Sequence, residues 1–384
     1  MTHRAADEFE SVTSDDALLR ALAERIGRDG PITFRDFMAA ALYDPGHGYY
    51  ATQAAAMTRG GDYVTSPEMH SIFGTLVAVQ LVELWELMGQ PPRFDVIELG
   101  GGTGLLARDL IRRAAREPAF FDALRYAIVE TSAALRAKQR ETLGAGADRV
   151  AWHDALPAAI EGVVLSNEFF DALPLHRVVR RDGELREIYV AHRDGRFFDA
   201  PGPLSTPEIA SYFARAGALP GEGCAAEVNL DAVAWMERIA GALERGYVLT
   251  FDYGYEARDL YAPWRRDGTL LCFYRQSASS DPYRRIGRQD MTASVDFTTL
   301  RATGERAGLR TVGETAQSDF LVRLGIGAGV AAVAESAAPE IEEYFARRRI
   351  VMDLIDPAGL GRIRVLLQGR GVPDTPPRGF RDDA

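Results

Sequence analysis

Cysteine is nearly absent. Cys224 and Cys272 are the only two in 384 residues, far apart and in no metal-like spacing, so neither a disulfide framework nor a zinc cluster is expected. Among the six histidines, His47, His70, His153 and His176 share no ligand spacing, and the expected metal complement is none. No apolar run approaches the length needed to span a bilayer, so membrane insertion is not expected. Positive charge is in deficit: 44 Lys and Arg stand against 55 Asp and Glu, a net charge of −11. That balance argues against nucleic acid as principal partner and suits a basic substrate. The opening residues lack the charged-then-apolar pattern of an export signal, which reads as a cytoplasmic protein. Oligomeric state is not legible from any of this.

Glycine, by contrast, is concentrated. Phe94-Asp-Val-Ile-Glu98-Leu-Gly100-Gly-Gly102-Thr-Gly104 is an apolar run that stops at an acid and is followed by four glycines in five positions. It predicts a buried parallel strand, a tight turn and a helix starting near Thr103. Glycines accept positive φ and let a ligand lie against bare main chain, here at the carboxyl end of the first strand of a doubly wound sheet. A dinucleotide loop needs Gly-x-Gly-x-x-Gly, and Leu105 or Ala107 stands where its last glycine belongs. The spacing present is Glu-x-Gly-x-Gly-x-Gly, which resembles that of S-adenosylmethionine-dependent methyltransferases. That cofactor carries a cationic sulfonium and no phosphate, so the acid Glu98 at the strand tip is favourable.

Two further strand tips carry acids. Glu130 ends the run from Leu124, where ribose hydroxyls are held by charged oxygens. Asp154 ends a third run from Val150, within expected reach of an adenine amino group. A fourth run, Gly162 to Glu168, leads into Asn167-Glu168-Phe169-Phe170-Asp171. Acids interleaved with aromatic rings can grip a cationic nitrogen group. Glu168 and Asp171 are the candidate catalytic acids, with Asn167 beside them and Glu68 a possible third. Methyl transfer is an in-line displacement, so alignment and proton removal are the tasks expected of them.

The expected organisation is α/β: a Rossmann-like core over 93–330, with a helical lead-in over 1–92 and α+β insertions. A fifth core strand covers Gly246 to Asp252. The alternation from Arg177 to Val190 around Asp182-Gly183 predicts a hairpin. Residues 191–229 read as an insertion and 259–292 as irregular. A helix, a strand and a loose tail are expected over 331–384. In the lead-in, Asp15 to Ile26 is an amphipathic helix, and Ser66 caps another that starts at Pro67 and runs to about Met88.

Gly61-Asp62-Tyr-Val-Thr-Ser66-Pro67-Glu68, the glycine loop, Ser166-Asn167-Glu168-Phe-Phe-Asp171, Asp252-Tyr-Gly-Tyr255 and Thr292-Ala-Ser294-Val-Asp-Phe297 together resemble the MidA family, in order and spacing, from about Pro31 to about Gly327. The resemblance implies a class I methyltransferase fold with S-adenosyl-L-methionine as cofactor. It implies a protein arginine as acceptor, through a family member that assembles respiratory complex I and dimethylates one of its core subunits. By position, Gly100, Gly102, Gly104 and Glu130 would bind cofactor and Asn167 to Asp171 would line the reaction centre. Gly61, Asp62, Ser66, Pro67 and Glu68 would form a lid. Gly101 looks like a loose choice where relatives carry Pro or Ala. Ser294 and Phe273 to Ser277 depart from histidine-bearing stretches, which touches acceptor specificity. A small-molecule methyltransferase and a non-catalytic assembly factor retaining the cofactor site stay open as alternatives; the glycine spacing speaks against an oxidoreductase.

Overall fold

The computed structural model of the chain describes residues 14–52, 65–328 and 341–381. Gly61 and Asp62, expected in a lid, lie outside them. The described residues fall into two compact units, discontinuous in sequence, where the sequence reading drew its lines at 92 and 330. One takes the described part of Met1–Tyr63 with Phe170–Ala234 and Tyr255–Leu300; the other takes the described parts of Val64–Phe169, Trp235–Gly254 and Arg301–Ala384.

The second unit is the α/β, Rossmann-like core. Its sheet has seven strands: β1 (Phe94–Leu99), β2 (Leu124–Val129), β3 (Val150–His153), β4 (Ile160–Asn167), β5 (Leu243–Asp252), β6 (Arg310–Ala316) and β7 (Arg364–Arg370). Their order is β6-β7-β5-β4-β1-β2-β3. β1 to β5 are mutually parallel where they pair, and β7 runs antiparallel between β5 and β6. Every residue of β1 is buried, the acids Asp95 and Glu98 included, as in a strand covered on both faces. The chain runs outward from β1 through β2 and β3, then returns to place β4 on the other side of β1. This reversal opens a crevice at the carboxyl ends of β1 and β4, where Leu99 pairs with Ser166.

Two expectations about the helix before β1 need correction. The N-cap is Thr65, with Ser66 and Pro67 inside the first turn, because Glu68 reaches back to the Thr65 N–H in a capping box. That helix, Ser66–Met69, is also separate from the next, Ile72–Leu87. His70 takes an extended backbone (φ −168°, ψ 149°), and its Nδ1 accepts the Ile72 N–H at 3.1 Å. At the other end the tail is not loose. Phe380 is buried and meets Phe320 edge to face at 5.4 Å, while the Gly379 N–H donates to the buried Gln80 side chain (2.9 Å).

The first unit is α+β. A five-stranded antiparallel sheet is built around the hairpin His176–Arg181 and Glu184–Arg193, whose turn residues Asp182 and Gly183 both take positive φ. Helix Asp16–Asp29 starts where Asp15 accepts the Ala17 and Leu18 N–H groups, and it buries Leu18, Leu22 and Ile26 on one face. The stretch 259–292 is not irregular throughout: Leu271–Tyr274, Ser277–Ser279 and Asp290–Thr292 form a small antiparallel sheet. Among the described residues no helix is long and apolar enough to cross a membrane.

Candidate functional site

The loop after β1 takes left-handed backbone at Gly100 (φ 64°), Gly102 (φ 49°) and Gly104 (φ 84°). The three serve different ends. A Cβ on Gly102 would meet nothing within 4 Å, so that position faces open space; one on Gly104 would stand 3.0 Å from the Gln139 Cα. Gly101 is not a loose choice here, because its Cβ would fall 2.8 Å from the Ile128 methyl. The loop is thus packed underneath and bare above. That is the shape a ligand lying on main chain requires.

Glu130 sits at the tip of β2, buried. One carboxylate oxygen accepts the Ser132 N–H (2.8 Å) and the other accepts Gln139 Nε2 (3.3 Å). Burial raises its pKa. The Thr131 N–H also bonds it, which leaves part of its roughly four acceptor directions for a ligand. Glu98 lies one strand inward, fully buried, with its carboxylate taking the Tyr126 hydroxyl at 2.7 Å. Burial, then the nearby charge of Glu130, pushes Glu98 up to about 7. Asp154 follows β3, but its side chain is 84% exposed and ion-paired with Arg136 at 2.7 Å.

Across the crevice, β4 ends in Asn167, whose Nδ2 donates to Glu168 Oε1 at 3.1 Å. The Asn167 Oδ1 is buried without a hydrogen-bond partner among the described residues. An orphaned acceptor at a strand tip marks a place where a donor from outside the chain fits. Glu168 is held at φ 51°, unusual for a side chain of its size. Two bonds over-determine it: its own N–H donates to Phe251 O (2.8 Å) and the Phe169 N–H to Asp252 Oδ2 (3.2 Å). Such stored strain concentrates at working sites. Phe169 packs edge to face on Trp235 at 5.2 Å, and its ring edge would lie 3.0 Å from a Cβ on Gly100.

The lead-in residues of this unit have tasks within the chain. Ser66 is fully buried, its hydroxyl 2.9 Å from Gln317 Nε2. Glu68 caps its own helix beside Pro67, and burial pushes it up to about 7. Asp171 belongs to the first unit. There it is buried, and burial followed by the charge of the buried Asp290 pushes it up to about 7. Asp290 in turn accepts the Tyr50 hydroxyl and the Met291 N–H, each at 2.9 Å. Asp290 and Gln139 were missed in the sequence, since neither stands in a recognisable motif. Ser294 is also in the first unit, where its N–H donates to the Thr269 hydroxyl.

Comparison with known proteins agrees with this geometry. A family model described as "Putative S-adenosyl-L-methionine-dependent methyltransferase" matches residues 76–315. The chain is 32% identical to the Drosophila melanogaster "Protein arginine methyltransferase NDUFAF7 homolog, mitochondrial", covering 93% of this chain and 85% of that protein. It is 31% identical to the corresponding Mus musculus protein, covering 80% and 74%. A Burkholderia thailandensis protein crystallised with S-adenosyl-homocysteine superposes with a TM-score of 0.85 at 34% identity, covering 96% of this chain and 95% of that one. The relatives' mitochondrial names overturn the cytoplasmic expectation, which rested on the opening residues. Glycine loop, buried strand-tip acid and orphaned amide fit an adenosyl cofactor, and the chain belongs to this family of S-adenosyl-L-methionine-dependent methyltransferases, the one its motifs resemble under the name MidA.

Proposed function

We propose that the chain methylates an arginine side chain of a protein. Gly100, Gly102, Gly104 and Glu130 would hold S-adenosyl-L-methionine, which when bound supplies an electrophilic methyl group on a sulfonium. Glu130 offers its remaining acceptor capacity to the ribose hydroxyls. Asn167 Oδ1 accepts an N–H, and Glu168 turns its carboxylate toward the incoming guanidinium. Forming the N–CH3 bond releases one proton, and Glu168 is its acceptor. Desolvation of the guanidinium against Glu168 and the Phe169–Trp235 corner aligns the attacking nitrogen. The observation that carries this reading is the pairing at the tip of β4: an amide oxygen without a partner beside an acid held in left-handed backbone. The names of the relatives and the net charge of −11 support a basic protein acceptor. A respiratory complex I subunit is the acceptor that the family resemblance proposes.

The test is transfer of labelled methyl from S-adenosyl-L-methionine to arginine peptides and to purified complex I subunits, followed by acid hydrolysis. Methylarginine is the expected product. Glu168→Ala should abolish it while leaving S-adenosyl-homocysteine affinity, measured by calorimetry, within about threefold of the parent. Label in a small molecule alone would refute the acceptor class. Loss of S-adenosyl-homocysteine binding in Glu168→Ala would reassign that acid.

A further inference from the structure

Gln139 is fully buried on helix Ala133–Leu143, and almost all of its polar capacity is spent on the site. Its Nε2 donates to the Gly102 carbonyl at 3.0 Å and to Glu130 Oε2 at 3.3 Å. Its Oε1 accepts the Trp152 indole N–H at 2.8 Å, which fixes the orientation of the amide. Gly104 packs close to the Gln139 backbone, since a Cβ added there would stand 3.0 Å from the Gln139 Cα. One side chain thus joins the first glycine loop, the acid of the second strand tip and the third strand. A buried glutamine is costly unless every group is satisfied, and this one is satisfied by parts of three separate elements.

We propose that Gln139 is the positioning residue of the cofactor site: it locks the register between the glycine loop and Glu130. This rests on the reading of Glu130 as the ribose-binding acid. Ser132 N–H donates to one Glu130 oxygen and Gln139 Nε2 to the other, with the Thr131 N–H also on the carboxylate. They orient the carboxylate so that both oxygens can meet a vicinal diol at once. Without the Gln139 amide, Glu130 keeps only backbone donors from its own turn, Thr131 and Ser132, and both it and the Gly102 carbonyl lose their tie to helix Ala133–Leu143.

The perturbation is Gln139→Glu, which preserves shape and sets a second acid against Glu130. Affinity for S-adenosyl-homocysteine, measured by calorimetry across about pH 5 to 8, is the readout. In the parent, affinity should fall toward acid pH as Glu130, whose pKa burial raises and which faces Glu98 and Arg136, takes up a proton. In the variant it should be about tenfold to a hundredfold weaker at pH 8 and should recover toward pH 5. There a protonated acid at position 139 again presents a donor to Glu130. Opposite slopes are the signature, because a purely structural defect would weaken binding at every pH alike.

Two controls make failure interpretable. Glu130→Gln should itself weaken S-adenosyl-homocysteine binding at least tenfold; if it does not, the reading of Glu130 falls. If Glu130→Gln weakens binding but Gln139→Glu tracks the parent at every pH, the positioning role is overturned. Should Gln139→Glu not fold, Gln139→Met, of similar length and without polar atoms, serves instead. Binding at least tenfold weaker supports the proposal, and parental affinity sinks it.

Discussion

The glycines of the loop separate backbone conformation from ligand contact, and alanine substitution measures each. Gly102 stands at φ 49°, with open space where a Cβ would go. Gly102→Ala should therefore cost the left-handed penalty alone, about 1–2 kcal/mol, reduced by the lower chain entropy of the unfolded variant. Gly104 stands at φ 84°, with a backbone atom, the Gln139 Cα, 3.0 Å from the new carbon. A main-chain neighbour cannot rotate away, so Gly104→Ala should cost about 2–4 kcal/mol, the backbone penalty plus overpacking. In a domain of 150–250 residues, each kcal/mol lowers Tm by about 2–4 °C, so thermal melts distinguish the two. Affinity should follow the opposite logic. The new methyl of Gly102→Ala enters the open space that the proposed function assigns to the cofactor, so S-adenosyl-homocysteine binding by that variant should fall at least tenfold although its fold is the less damaged. If Gly102→Ala binds like the parent, or melts below Gly104→Ala, the account of the loop as packed underneath and bare above is wrong.

Asp171 should make stability depend on pH. Its folded-state pKa is raised from 3.8 to about 7 by burial and by Asp290, so the folded chain holds a proton that the unfolded chain gives up. That stability is complete below the unfolded pKa and is lost as pH rises through about 7. Asp171→Asn, which cannot titrate, should gain stability relative to the parent between about pH 4 and pH 8, seen as diverging urea midpoints; parallel midpoints would refute the shift. Phe380→Ala should cost about 3 kcal/mol by emptying its place against Phe320, and an unchanged melting temperature would show the tail to be dispensable.

The core strands are legible because burial on both faces leaves a simple trace: Val96, Ile97, Val163, Val164, Val248 and Leu249 sit in near-continuous apolar runs. The glycine loop and the hairpin at Asp182-Gly183 are legible because positive φ selects residue types that can adopt it. Where a bulky residue adopts it anyway, the signal disappears. The turn joining Leu271–Tyr274 to Ser277–Ser279 uses Arg275 (φ 46°) and Gln276 (φ 61°), so that hairpin had no signature. The break at His70 was hidden for a related reason: a side chain of the chain itself replaces the missing helical partner. Gln139 lies deeper still, since nothing in a string of letters distinguishes a helix-surface glutamine from one that three elements close over.

The placement of β7 bears on how the chain is made. This strand, Arg364–Arg370, pairs with β5 along seven residues and is also the partner of β6. While the ribosome is still adding residues before Arg364, the outer margin of β5 has no neighbour, and its Leu249 and Phe251 lack part of their cover. Exposed strand margins of that kind recruit other chains. The margin of β5 therefore stays open until Arg364–Arg370 has been made and has paired with it.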